Sequence, residues 1–253
     1  MSVIDTRMPA LLRSGKPVLG TFVGIPSPAL VEMCGHAGID FVIIDNEHGP
    51  AGIETTEHLI RAARAANVAP IVRTHEPDIL RVLDVGASGI QVPQIETAEQ
   101  AARVVAAAKY PPVGNRGAAF STRAAGYGFF GGDPHIAASN DGTIVVIMVE
   151  TRQGVANLDA ILEVPGIDAV FIGPNDLSFA MGYPGKPGTP EVAETIERCI
   201  RRIAAKGVAP GVITLSVADH HKYAAMGARY LPGLLSGILR DAMRATVREC
   251  RGG

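Results

Sequence analysis

The chain has 253 residues, 47% of them hydrophobic and 19% charged, a balance that argues against disorder and suits one well-cored α/β barrel. A net charge of −2 with no basic stripe gives nucleic acid nothing to bind. The three cysteines, Cys34, Cys199 and Cys250, lie far apart without CxxC spacing, and no run of 18 apolar residues or signal-like segment occurs, so a cytoplasmic protein with no membrane partner and no zinc knuckle is expected.

In chain order, a short helical lead over Met8–Ser14 precedes a first strand at Val18–Gly24. A helix over Pro28–Ala37 follows, and then Phe41–Ile44, a strand that runs straight into Asp45-Asn46-Glu47-His48-Gly49-Pro50. Helical spacing returns at Thr55–Ala66. The third strand, Ala69–Val72, ends in Arg73, and the fourth, Gly89–Val92, ends at Pro93-Gln94, with a helix over Pro77–Val85 between them. After the Ala-rich helix Ala98–Lys109 the rhythm breaks. The segment Tyr110–Asp141 holds PPVGNRG, GYGFFGGDP, Arg116, Arg123 and Tyr127, and a loop this long is either functional or hides a short helix.

The strands resume at Ile144–Val149 and Ala169–Ile172, with about ten residues of helical spacing (Gly154–Leu162) between them. A helix at Pro190–Lys206, a strand at Ala209–Thr214, a helix at Val217–Met226, a strand at Tyr230–Leu234 and a closing helix at Ser236–Glu249 complete the pattern. Eight apolar, mostly unalternating strands separated by helices predict a single (β/α)8 TIM barrel over residues 1–253. No GxGxxG follows the first strand, which counts against a dinucleotide fold.

Barrel enzymes keep their active sites at the C-terminal ends of the strands. Those ends carry Phe22, Asp45, Glu47, His48, Arg73, Gln94, Glu150, Asp176 and Thr214. Glu150 and Asp176 close two neighbouring parallel strands and would repel without a proton or cation between them. Hard oxygen ligands suit Mg2+ or Mn2+, though two carboxylates capping helices would look the same in sequence. His48 follows Asp45 by three residues, near enough for that carboxylate to orient the ring of a general base. Arg73 is placed to stabilise an enolate oxygen, or to pair with Asp45 or Glu47, or both. The turn Gly173-Pro174-Asn175-Asp176 can grip a substrate carboxylate through backbone N–H groups. His58, His220 and His221 fall on helices and are expected to be solvated. No lysine ends a strand, so a Schiff base is set aside, and the set suits metal-assisted aldol cleavage of a 2-oxo acid.

The runs FVIIDNEHGP, APIVRT, KYPPVGNRG, VETRQGVANLDAIL and VFIGPNDLSFAMGYPG, in order between about Ser14 and Asp241, resemble the class II pyruvate aldolases of the hydroxyheptanedioate aldolase family. The resemblance implies a barrel that cleaves 4-hydroxy-2-oxo acids to pyruvate and an aldehyde with Mg2+, Mn2+ or Co2+. It makes Glu150 and Asp176 metal ligands, His48 the base and Arg73 the transition-state stabiliser, with the Asn175–Asp176 turn holding pyruvate. It also implies a hexamer that exchanges C-terminal helices. An aspartate matching Asp84 raises the basicity of the histidine in the family, and because Asp84 precedes the fourth strand it would have to serve a neighbouring subunit's site. Two departures stand out: Met148 replaces a glutamine common two residues before the metal glutamate, and YLPGLLSGIL lacks the usual GxD. Aldehyde selection is expected from the outer loops, with Arg123 either contacting a distal polar group of the substrate or pinning its own loop. Alternatives are a citrate-lyase-like or malyl-CoA-type lyase, which would need basic residues for CoA, and a barrel that binds a keto acid without turning it over.

Overall fold

The protein is described here by a computed structural model covering residues 4–252. Its eight strands are β1 (Val18–Val23), β2 (Phe41–Asp45), β3 (Ala69–Arg73), β4 (Gly89–Val92), β5 (Ile144–Val149), β6 (Ala169–Ile172), β7 (Ala209–Val212) and β8 (Tyr230–Leu234). They pair in parallel in sequence order and close, β8 returning to β1, as the expected barrel. Strands buried on both faces need apolar side chains at every position, and β5, IVVIMV, is buried throughout.

The wall helices are α1 (Arg7–Arg13), α2 (Pro28–His36), α3 (Ile53–Ala65), α4 (Ile79–Asp84), α5 (Ala98–Ala108), α6 (Asp133–Gly142), α7 (Arg152–Ala156), α8 (Leu158–Leu162), α9 (Pro174–Ala180), α10 (Pro190–Ala205), α11 (Val217–Ala225) and α12 (Leu235–Cys250). The single helix expected over Gly154–Leu162 is two, broken at Asn157, whose side-chain amide donates to the Glu96 carbonyl at 2.8 Å. The irregular segment after α5 does hide structure: a 3-10 stretch over Arg123–Gly128 and then α6. Among the described residues, no helix is long and apolar enough to cross a membrane.

Two apolar layers result. Strand side chains pointing outward pack under the helices, among them Ile44, Val72, Ile147 and Ile172. Those pointing inward fill the barrel, and α1 closes its lower end with Met8 and Leu12. Inside, the Phe41 and Tyr230 rings stack at 4.4 Å, and the Tyr230 hydroxyl donates to Gln91 Oε1 at 3.0 Å. Complete burial holds the Tyr230 phenol far above its usual range, so it stays a neutral donor.

The outer wall has a gap. Leu19 points outward from β1 yet is 43% exposed, because a cavity of about 660 Å3 lies outside β1 and β8, between α11 and the start of α12. The last helix borders it only with its first turns, between Ser236 and Asp241. Its apolar stripe includes Leu235, Ile238, Met243 and Val247, but only Leu235 is buried. His220 and His221, expected to be solvated, both border this cavity, and His220 Nδ1 is buried without a hydrogen-bond partner.

Inside the barrel the fit leaves no spare volume at Gly20. A methyl there would lie 2.2 Å from the Phe41 ring, which Tyr230 holds in place. Gly20→Ala is therefore expected to destabilise the fold by about 1–3 kcal/mol, the usual cost of overpacking. Urea unfolding checks it, and an unchanged midpoint would show the ring free to move.

Candidate active site

Asp45 ends β2 and Arg73 ends β3, and strand register sets them side by side. Arg73 donates from Nε to Asp45 Oδ1 at 2.9 Å and from Nη2 to Asp45 Oδ2 at 2.6 Å, the two-point pairing a planar guanidinium makes best. Its Nη1 lies 3.1 Å from Glu47 Oε2, and its face rests over the Phe22 ring at 4.9 Å. Asp45 Oδ1 also accepts the backbone N–H groups of Glu47 and His48, each at 3.2 Å. Burial alone would raise the Asp45 carboxyl, but the Arg73 hydrogen bonds and charge, with those N–H groups, hold it below the usual carboxylate range.

Both Asp45 oxygens are thus committed to Arg73 and to the backbone. Asp45 does not orient the His48 ring, as its spacing suggested. The imidazole is 66% exposed at the rim, and the carboxylate it approaches is Glu47, 3.7 Å from Nε2.

Across the barrel mouth Glu150 follows β5 and is 3% exposed. Its Oε1 accepts the Gln94 N–H at 2.8 Å, and Gln94 adopts φ +59°, an uncommon value outside glycine, in the turn that delivers that bond. Its Oε2 faces the turn after β6. A side chain at Gly173 would begin 2.5 Å from that oxygen, so only glycine leaves it open. Burial pushes the Glu150 carboxyl up to about 7; the Gln94 N–H opposes this, and the negative charges of Asp176 and Glu47 reinforce it. Asp176 stands in the first turn of α9.

These elements surround a cavity of about 250 Å3. Its lining brings together seven residues picked out in the sequence: Phe22, Asp45, Arg73, Gly173, Pro174, Asn175 and Asp176. Gly24, Met148, Phe171, Ile213, Leu234 and Ser236 complete the wall, while Glu150 and His48 do not line it. Of the added wall residues only Met148 carried a signal in sequence; the others are ordinary strand and helix-start residues until the barrel closes.

Asp84 and Arg123 lie elsewhere in the chain's own fold. Asp84 ends α4, at the opposite end of the barrel, and accepts from Arg116 Nη2 at 2.7 Å. Arg123 donates to the Val85 carbonyl at 2.9 Å beside Gly86, so it pins its segment to the helix wall and does not line the cavity.

Glu150 and Asp176 suit a hard divalent cation. Glu150 is buried with an oxygen kept clear, and the negative charge of Asp176 raises the cost of its ionisation. Among the described residues no group of three or more His, Cys, Asp or Glu converges, so substrate oxygens and water would complete the coordination.

The sequence model of the HpcH/HpaI aldolase/citrate lyase family matches residues 19–232. The chain belongs to that family. It is 40% identical over 224 residues to the 2-keto-3-deoxy-L-rhamnonate aldolase of Salmonella paratyphi B, covering 87% of this chain and 83% of that one. A crystal structure of an HpcH/HpaI aldolase/citrate lyase family protein from Burkholderia cenocepacia J2315 superposes with a TM-score of 0.93 at 30% identity, over 98% of this chain and 100% of the other. The citrate synthase SbnG superposes with a TM-score of 0.86 at 30% identity, over 96% and 97%. The resemblance drawn from the sequence motifs and the barrel they implied are both borne out. The protein is a carbon–carbon lyase of the aldolase type.

The raised Glu150 carboxyl has a consequence for stability. The folded state holds this proton more tightly than the unfolded chain, so its contribution is complete below the ordinary value of 4.5 and is lost as pH rises through about 7. Metal-free protein is expected to lose about 3 kcal/mol over that interval. Glu150→Gln should flatten this dependence. Thermal melts between pH 5 and 8 measure it, and equal slopes in the two proteins would rule it out.

Proposed function

We propose that the β-strand ends of this barrel cleave a 4-hydroxy-2-oxo acid to pyruvate and an aldehyde, and run the reverse addition. The observation that carries this is a guanidinium clamped by two carboxylates at a small cavity, with the buried Glu150 carboxylate keeping one oxygen clear against the Gly173 turn that lines it. His48 stands at the rim, with its ring open to an incoming hydroxyl.

In cleavage His48 takes the proton of the 4-hydroxyl. The C3–C4 bond breaks, C4 leaves as the aldehyde carbonyl, and the bonding pair moves through C3 to the C2 oxygen as an enolate. Arg73, unable to turn away from Asp45 and Glu47, directs its remaining N–H groups at that developing charge. A proton from solvent then adds to C3 to give pyruvate, and His48 releases its own proton to solvent. The turn Gly173–Asp176 takes the substrate carboxylate. A divalent cation (Mg2+, Mn2+ or Co2+) held by Glu150 and Asp176 would supply the Lewis acid that polarises the keto group. With Met148 in the wall in place of a side-chain amide, Arg73 is, among the described residues, the one cationic side chain lining the cavity. That leaves no basic cluster there for the phosphates of CoA. The relative's name makes a 2-keto-3-deoxy sugar acid the first substrate to try.

The outer gap and the stranded apolar stripe of α12 fit together. We infer that α12 of a second copy fills the cavity over Leu19 and that the exchange is mutual, the arrangement the resemblance implied.

Pyruvate release coupled to lactate dehydrogenase tests the reaction. Chelation should abolish it, and Mg2+, Mn2+ or Co2+ should restore it; full activity after exhaustive chelation would overturn the metal assignment. His48→Ala should cut aldol cleavage by about 10²–10⁴-fold. Oxaloacetate decarboxylation, which forms the same enolate without a 4-hydroxyl, should fall far less, and equal losses would exclude His48 as the base.

For the assembly, Met243→Lys with Val247→Lys places charge on the stripe. Light scattering should show the wild type as an oligomer and the double variant as a monomer. An oligomer that survives both changes would mean that α12 does not hold it.

A further inference from the structure

Two carboxylates that share a cation must be held close, against their own repulsion, before it arrives. Asp176 already raises the cost of charge on Glu150, and the two stand on different elements. Glu150 directly follows β5, and Asp176 lies in the first turn of α9, a helix of seven residues. The near end of α9 is fastened, because the Gly173 N–H donates to the Val149 carbonyl at 3.3 Å. Its far end leaves carbonyls without partners inside the helix. Arg152 supplies them, donating from Nε to the Ala180 carbonyl at 2.7 Å and from Nη2 to the Met181 carbonyl at 2.5 Å. Arg152 opens α7, two residues beyond Glu150, and the link between them has no slack. Thr151 caps α7 by accepting the Gly154 N–H at 3.0 Å, and a methyl at Gly154 would lie 2.9 Å from the Ile95 carbonyl. One short, fixed segment therefore carries Glu150 and grips the helix that carries Asp176.

We propose that Arg152 is a positioning residue for the Glu150–Asp176 pair. Without its two bonds the far end of α9 loses its tie to the Glu150 segment. Repulsion between the carboxylates can then move the helix outward about Gly173. With the bonds made, Asp176 is set beside Glu150 in advance, and no binding energy is spent on drawing the helix in. A guanidinium suits this task, because donors in a rigid fork fix the direction of the helix end as well as its distance. Arg152 acts through the backbone it holds, as the outer partners of metal ligands commonly do.

The inference rests on the reading of Glu150 and Asp176 as cation ligands, and Mn2+ binding tests it without turnover. Electron paramagnetic resonance of the free ion gives Kd for the wild type and for Arg152→Met, which keeps the stem and loses the donors. Kd should weaken by about 10–100-fold, the usual effect of removing a group that orients metal ligands. Arg202→Ala is the control, because Arg202 bonds the Val155 carbonyl at 3.3 Å and Asp159 at 3.2 Å, on α7 and α8. It should leave Kd within about twofold. Thermal melts of the chelated proteins separate the two roles, since a helix cap alone would lower Tm and leave Kd unchanged. An unchanged Kd in Arg152→Met, or an equal loss in Arg202→Ala, would overturn the role. Should Arg152→Met not fold, Arg152→Lys carries the same test with one donor point in place of the fork. A smaller loss is expected there, and a wild-type Kd would overturn the role. Wild-type protein that binds no Mn2+ would instead sink the cation reading itself.

Discussion

The site depends on a guanidinium that cannot move. Arg73 is largely removed from water, and an isolated buried cation would cost the fold several kcal/mol. Two carboxylates and an aromatic face offset that cost, and they also set its direction. The pairing exists only because β2 and β3 lie in the register that matches Asp45 with Arg73. A slip of one residue in either strand would turn its own side chain into the helix layer and break the pair, so closing the barrel and assembling the site are one event.

The opposite wall is built on the reverse principle. Glu150 is buried where its charge is opposed by Asp176 and Glu47, and one N–H group from Gln94 offsets only part of the cost. One side of the barrel mouth is electrically satisfied and the other is left wanting a cation. The apolar floor of Phe22, Met148 and Phe171 sharpens both halves, since charges act more strongly where water is scarce.

The exterior follows from the same economy of burial. A barrel strand keeps apolar side chains on both faces in expectation of a covering helix, and β1 lacks its cover on the outward side. The helix that should supply it ends the chain with its own stripe in water. These two unfilled requirements of matching character are what the proposed exchange with a second copy rests on.

Much of this was legible before any coordinates. Unalternating apolar runs separated by helical spacing specify a parallel, doubly covered sheet, and eight of them at this length specify closure. Phe22, Asp45, Arg73, the Gly173–Asp176 turn and Glu150 could be picked out because a carboxylate or guanidinium ending an apolar strand is a local signal. What sequence left open was which partnerships between distant segments form, even where, as with Arg73 and Asp45 or Glu47, the pairing stood among the alternatives. Spacing tied Asp45 to His48, but Asp45 is claimed by Arg73, 28 residues away and its neighbour on the next strand. Asp84 goes to Arg116 and Arg123 to the Val85 carbonyl, both across the helix wall. The direction of α12 was equally invisible, because an amphipathic stripe shows that a helix will be covered and not which surface covers it. Sequence determines which residues stand at the strand ends, since that follows from periodicity along one chain. Which charge faces which is settled only by register and closure, where burial forces each ion to take the nearest opposite partner.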